Sequence, residues 1–223
     1  MAIVKTALVV ISDRANTYLP ECLDAVREYL PRFDKTILVD DSGGDLTRLY
    51  LNVDTWFDEA ILHPERRGLA AAVNSGWSAA AGYDFLFHLE EDMVLTAPVM
   101  VDRMANILAA SSLAQVALKR KSDRAEVAWH GHEHTLDTPD YREETIAGEV
   151  VTICQPSHPD HVFTLNPCLI PHRVFSEGWP SGNEEAMTQR CVTNGWQLGY
   201  WGSKTDPDRC FHIGEARSAG WKL

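Results

Sequence analysis

Long apolar runs are missing from this chain. A bilayer-spanning helix needs about 20 consecutive apolar residues, and nothing in the 223 residues approaches that, so no transmembrane segment is expected. The opening stretch, Met1 to Ile11, lacks the charged leader and cleavage site of a signal peptide and reads as a first strand. Cysteine is sparse and scattered. Cys22, Cys154, Cys168, Cys191 and Cys210 form no CxxC pair, which argues against a zinc ribbon or a thioredoxin-type site. Their expected role is that of small buried hydrophobes in a reducing, cytoplasmic setting. Positive charge is also short: 20 Lys and Arg stand against 32 Asp and Glu, a formal net charge of −12. That balance argues against a protein that grips nucleic acid through its phosphates. It leaves room for an anionic ligand, because a local Arg pair or a metal ion can reverse the field at one site. Internal repeats and low-complexity linkers are absent too, so residues 1–223 are expected to form one domain.

What remains is an ordinary globular composition, 45% hydrophobic and 23% charged, in a chain long enough to bury a sizeable core. Ala7 to Ile11 is a β-branched run closed by Ser12-Asp13-Arg14. Tyr18 to Leu30 carries Leu19, Leu23, Val26 and Leu30 at helical spacing, and Pro31 stops it. Strands are expected at 36–39, 60–62, 85–89 and 114–118, with helices at 68–81 and 98–110. This alternation predicts an α/β sheet with parallel strands. Residues 119–148 are polar and read as a long surface loop, followed by strands at 150–154 and 162–165. Glu184 to Asn194 is expected to be a short helix capped by Gly195.

Acids close three of these strands: Asp13 the first, Asp40 and Asp41 the second, Glu90-Glu91-Asp92 the apolar run from Phe85. Parallel strands would gather them on one edge of the sheet, in the crevice where open α/β sheets bind ligands. Adjacent carboxylates repel one another and resist desolvation, so a positive partner is expected there. A hard cation that shares its coordination with phosphate oxygens suits the chemistry. Between the acids lies His63-Pro-Glu-Arg66-Arg67-Gly68, where a helix N-terminus beside guanidinium groups offers an anion site. This is neither a Walker loop nor a GxGxxG turn. Asn74, on the helix, lowers intrinsic propensity and so points to a polar contact.

Taken in order, Val-Ile-Ser-Asp13-Arg14, Val-Asp40-Asp41-Ser, Arg67-Gly-Leu-Ala-Ala-Ala-Val-Asn74-Ser-Gly and Phe-His-Leu-Glu90-Glu-Asp92 resemble a GT-A fold glycosyltransferase of the broad family 2 type. The resemblance implies an α/β, Rossmann-like fold with a mainly parallel central sheet flanked by helices. Residues 1–118 would be the nucleotide-sugar half and 119–223 the acceptor-side and C-terminal half. It assigns Ser12, Asp13, Arg14, Asp40, Asp41, Arg67, Asn74, Glu90 and Glu91 to the nucleotide sugar. Asp92 falls at the metal position of a DxD-like motif, with Mn²⁺ or Mg²⁺ as the implied cofactor, and Glu90 stands where the usual first Asp would. Downstream, Asn183-Glu184-Glu185 through Arg190 to Gly195-Trp196 resembles the helix that carries the catalytic carboxylate. Glu184 matches it, and Glu185 does so if the register slips by one. His212, in Cys210-Phe-His-Ile-Gly214, matches a late metal-binding histidine.

The activity so implied is metal-dependent transfer of a sugar from a nucleotide-diphosphate donor, UDP-sugar favoured, to a hydroxyl of a soluble protein or glycan, with inversion. A nucleotidyltransferase and a non-catalytic sugar-nucleotide or metal-binding module are the alternatives. Trp179 reads either as a sugar-stacking or as a core residue, and Asn166 as an acceptor-side group. His130, His132 and His134 have the period-two spacing of a strand-borne metal site, yet sit in a polar, Gly-containing stretch that suits a solvated cluster better.

Overall fold

A computed structural model of the protein describes residues 4–13, 17–44, 56–121, 141–154, 163–180 and 184–214. The first strand, β1 (Thr6–Ser12), is followed by helix α1 (Leu19–Tyr29) and strand β2 (Lys35–Asp40). Next come β3 (Glu59–Leu62), α2 (Leu69–Ala79), β4 (Phe85–Glu90) and the short β5 (Met93–Leu95). Helix α3 (Val101–Ala109) and strand β6 (Leu113–Ala117) complete the alternating half. Beyond them lie β7 (Arg120–Lys121), β8 (Tyr141–Ile146), β9 (Glu149–Cys154), β10 (Cys168–Pro171) and a single turn of helix, α4 (His172–Phe175). Helix α5 (Glu184–Thr193), β11 (Gln197–Trp201) and β12 (Cys210–His212) end the described chain.

The central sheet runs β3-β2-β1-β4-β10-β6-β11-β9-β8. Strands β10 and β9 oppose the other seven, so the sheet is mostly parallel. Period-two alternation divides its side chains between two apolar layers. Leu8 and Val10 of β1 join Phe87 and Leu89 of β4 under α1 and α3, whereas Ala7, Val9 and Ile11 pack with Leu86, α2 and α5 on the other face. Helix α2 lies close on the sheet because residue 76 is Gly: a Cβ there would come within 2.5 Å of Val9 Cγ1 and 3.1 Å of Val39 Cγ2. The small-residue run 68–81 has its physical explanation in that approach. Gly195 closes α5 as expected, with a positive φ of 67° and the Trp196 N–H donating to the Cys191 carbonyl.

Three expectations need correction. Residues 141–146, inside the expected surface loop, form an edge strand that buries Tyr141 and turns Arg142, Glu143 and Glu144 outward. Edge strands are commonly charged, and that charge hid the strand. Phe163 to Leu165, expected as strand, make no ladder. The Phe163 N–H donates to Thr188 Oγ1 and the Leu165 N–H to Glu184 Oε1, so the segment is hung on α5 (Val162 lies outside the described residues). Helix α3 begins at Val101, later than Pro98, with Met100 as its N-terminal boundary.

Candidate active site

Strands β1, β2 and β4 are parallel and in close register, Ser12 beside Asp40 and Ile11 beside Glu90. Their acids therefore share the carboxyl edge of the sheet. Asp13, Asp40, Asp41, Glu91 and Asp92 are all buried there, with Glu90 half-buried. Backbone and hydroxyl donors hold part of this charge: the Asp13 N–H reaches Glu91 Oε1 at 3.3 Å, and the Ser42 hydroxyl donates to Asp40 Oδ2 at 2.8 Å. Asp41 is fully buried and accepts from the Arg67 N–H at 2.9 Å and the Gly68 N–H at 2.7 Å, joining the end of β2 to the start of α2. The hydroxyl of Ser12, also buried, has no hydrogen-bond partner among the described residues.

Of the two neighbouring arginines, Arg66 donates to the Asp13 carbonyl at 3.2 Å, while the Arg67 side chain is exposed at the N-terminus of α2. Arg14 lies outside the described residues. The side-chain amide of Asn74 accepts from the Trp179 N–H at 2.7 Å and donates to the Trp179 carbonyl at 3.1 Å. The polar contact expected of Asn74 exists, and it anchors the 178–180 turn. Trp179 itself is buried edge-on against Trp77 and Phe163, so it serves as a core residue. Asn166 is half-buried, its N–H donating to Thr164 Oγ1 at 3.1 Å.

Asp92 meets His212 through a second, small sheet of order β5-β12-β7, in which Met93 pairs with His212. Asp92 Oδ2 stands 3.2 Å from His212 Nε2, and the Ile213 N–H donates to the Asp92 carbonyl at 2.8 Å. A Cβ on residue 214 would fall 2.5 Å from Asp92 Oδ2 and 2.9 Å from His212 Nε2, so Gly214 is what lets carboxylate and imidazole converge. Two cis ligands of an octahedral ion with bonds of about 2.1 Å stand roughly 3 Å apart. The pair fits a divalent metal in donor chemistry and in spacing. No group of three or more His, Cys, Asp or Glu suited to a metal occurs among the described residues, so nucleotide oxygens and water would have to supply the remaining ligands.

Glu184 opens α5, half-buried, with Oε1 accepting the Leu165 N–H at 2.8 Å; Glu185 is exposed. Cys168, on β10 beside His88 of β4, is fully buried. Burial pushes its thiol well above the ordinary value, and the negative fields of Glu184 and Glu90 both add to that push. Cys22, beneath the acids on the opposite face, is raised in the same way by burial and by Glu91 and Asp92. All five cysteines are free and buried, as expected of small hydrophobes. Asn183 and the histidines at 130, 132 and 134 lie outside the described residues.

Sequence reasoning overlooked His63. It is buried, with Nδ1 2.6 Å from Asp41 Oδ1 and Nε2 3.0 Å from Ser75 Oγ. Its only sequence signal was its place between a strand and the Arg-Arg-Gly turn.

Residues 7–158 match the family model described as glycosyl transferase family 2. The chain belongs to this family. As a family 2 member it shares its fold with S. aureus TarS 1–349 in complex with UDP-GlcNAc, at a TM-score of 0.66 and 13% identity. That match covers 96% of this chain and 60% of the other. GalNAc-T7 with UDP, GalNAc and Mn²⁺ aligns at a TM-score of 0.67 and 14% identity, covering 99% of this chain and 45% of that one. The mannosyltransferase PcManGT from Pyrobaculum calidifontis, in complex with GDP-Man and Mn²⁺, aligns at 0.60 and 14% identity, over 97% and 58%. The family 2 chain therefore spans about 60% or less of the length of these solved proteins. No curated protein matches it by sequence.

Proposed function

We propose that this family 2 chain transfers a sugar from a nucleotide-diphosphate donor to the hydroxyl of an acceptor. The observation that carries the reading is the convergence of the strand-end carboxylates with the Asp92–His212 pair on one sheet edge. Ser12, Asp13 and Asp40 would receive the N–H and O–H donors of base and ribose, with Glu90 and Glu91 toward the ribose. Asp40 keeps lone pairs beyond those used by Ser42, whereas Asp41 is largely spent on backbone. The N-terminus of α2 and the exposed Arg67 guanidinium would attract the diphosphate. Asp92 and His212 would hold Mn²⁺ or Mg²⁺, which when bound neutralises charge on the leaving diphosphate.

Glu184 is the proposed catalytic base, taking the acceptor hydroxyl proton as the bond to the anomeric carbon forms. A single base facing away from the leaving group yields direct displacement and inversion. Glu185 is the alternative base, and its exposure leaves it without the fixed orientation that the Leu165 N–H gives Glu184. UDP is the favoured carrier, because an acid at the end of β2 suits the uracil N3–H. UDP and GDP both accompany the structural neighbours. A soluble protein or glycan is the proposed acceptor. No helix among the described residues is long and apolar enough to cross a membrane.

Calorimetric titration of UDP, GDP and their sugars, with and without Mn²⁺, tests the donor half. Metal-dependent binding of one nucleotide is the expected result, and binding of neither in the presence of metal would sink the reading.

A further inference from the structure

Asp41, His63 and Ser75 form a buried relay: Asp41 Oδ1 to His63 Nδ1 at 2.6 Å, and His63 Nε2 to Ser75 Oγ at 3.0 Å. The side chains of Asp41 and His63 are 0% and 4% exposed. An ionised carboxylate only accepts, so Nδ1 carries the proton, and in the neutral ring Nε2 accepts from the Ser75 hydroxyl. Residue order echoes a hydrolase triad, but Ser75 sits in the middle of α2, where the N–H groups are spent on the helix rather than free to receive an oxyanion. The relay's connections run instead to the backbone. The two oxygens of Asp41 hold the Arg67 and Gly68 N–H groups, and the His63 N–H donates to the Asp40 carbonyl at 2.9 Å. Residue 43 admits no side chain without crowding Glu65 and Arg66, since a Cβ would lie 3.2 Å from their backbone. The loop after β2 and the turn before α2 are therefore one interlocked unit.

We propose that His63 is a positioning residue for the donor. It orients the Asp41 carboxylate, which fixes the 66–68 turn, and the turn presents Arg67 and the α2 N-terminus to the diphosphate; this rests on the glycosyltransferase reading. A charge-assisted hydrogen bond within a buried pair stiffens both partners, and its loss leaves a buried carboxylate short of a donor. Donor affinity then falls while the chemistry at Glu184, on a different element, proceeds.

The test compares His63→Leu, His63→Asn and Ser75→Ala with the wild type, using UDP and GDP with Mn²⁺ and steady-state kinetics on the matching sugar nucleotide. His63→Leu should weaken nucleotide binding and raise KM about tenfold, the effect of one charge-assisted hydrogen bond, with kcat little changed. His63→Asn, which places an amide N–H near the Nδ1 position, should recover most of the loss, and Ser75→Ala should fall between. Unchanged nucleotide affinity in His63→Leu, or an Asn variant no better than Leu, overturns the proposal. Two ligand-free readouts separate it from the wider reading: ¹⁵N shifts reporting an Nδ1–H tautomer, and amide exchange at Arg67 and Gly68 that accelerates in His63→Leu. If wild type binds neither nucleotide, the glycosyltransferase reading fails and the donor role with it. The ligand-free readouts still decide whether His63 fixes the turn: fast exchange at Arg67 and Gly68 in the wild type overturns that part.

Discussion

Glu184 and Glu185 are neighbours with unlike surroundings. The first is half-buried and fixed by the Leu165 N–H, the second points into solvent. Glu184→Gln should therefore lower kcat by about 100-fold or more, the usual worth of a positioned base, with donor affinity within about twofold because the proposed nucleotide contacts lie at the ends of β1, β2 and β4 and the start of α2. Glu185→Gln should change kcat little, and a reversal of the two outcomes would move the base by one residue. A paired test concerns the metal. His212→Ala removes one of the two metal donors proposed among the described residues, so the Mn²⁺ concentration for half-maximal activity should rise about 10- to 100-fold. The place of the strand-end acids, Asp92 included, at one sheet edge was legible because a carboxylate after an apolar run is a local pattern, whereas Glu184 was singled out only by the resemblance of its helix to the family's. His63 was not, since a lone imidazole has no periodicity, and its partners Asp41 and Ser75 are brought to it only by tertiary structure.

At the scale of elements, β1, β2 and β4 and helices α1 and α2 could be read directly: β-branched or aromatic runs, helical spacing and a stopping proline carry their own signal. The small-residue helix α2 goes further, because its composition announces a close approach to the sheet. Gly76→Ala is expected to destabilise by about 1–3 kcal/mol through overpacking against Val9. That corresponds to a melting-temperature drop of about 2–4 °C per kcal/mol, and calorimetry would decide it. A variant as stable as wild type would mean that the helix can lift without cost. Strands β5, β10 and β12 were not legible. They are three or four residues long and are defined by their partners, with β10 inserted antiparallel between β4 and β6. The polar edge strand β8 gives a loop-like composition for the same reason: its stability comes from β9.

For the molecule as a whole, one buried group sets an acid limit. His88, on β4 below the crevice, is fully buried, and neither ring nitrogen has a hydrogen-bond partner among the described residues. Burial lowers its pKa to about 3. Between pH 6.5 and that value the unfolded chain takes up a proton that the folded chain refuses, so stability is full above pH 6.5 and falls as pH drops through this window. The slope is about 1.4 kcal/mol per pH unit. A His88→Leu variant should show a shallower loss of stability than wild type across the same range in denaturant titrations, because the other acids are common to both. Parallel curves would mean that the imidazole is hydrated or paired in solution.

The contact between Asp92 and His212 joins residues 120 positions apart. Synthesis runs from the N-terminus, so every strand-end acid leaves the ribosome well before the imidazole does. A nascent chain stalled short of residue 210 would carry the carboxylates with no β12 to bring the histidine among them. The crevice is thus assembled in two instalments, the imidazole's arriving 120 residues after the carboxylate it meets.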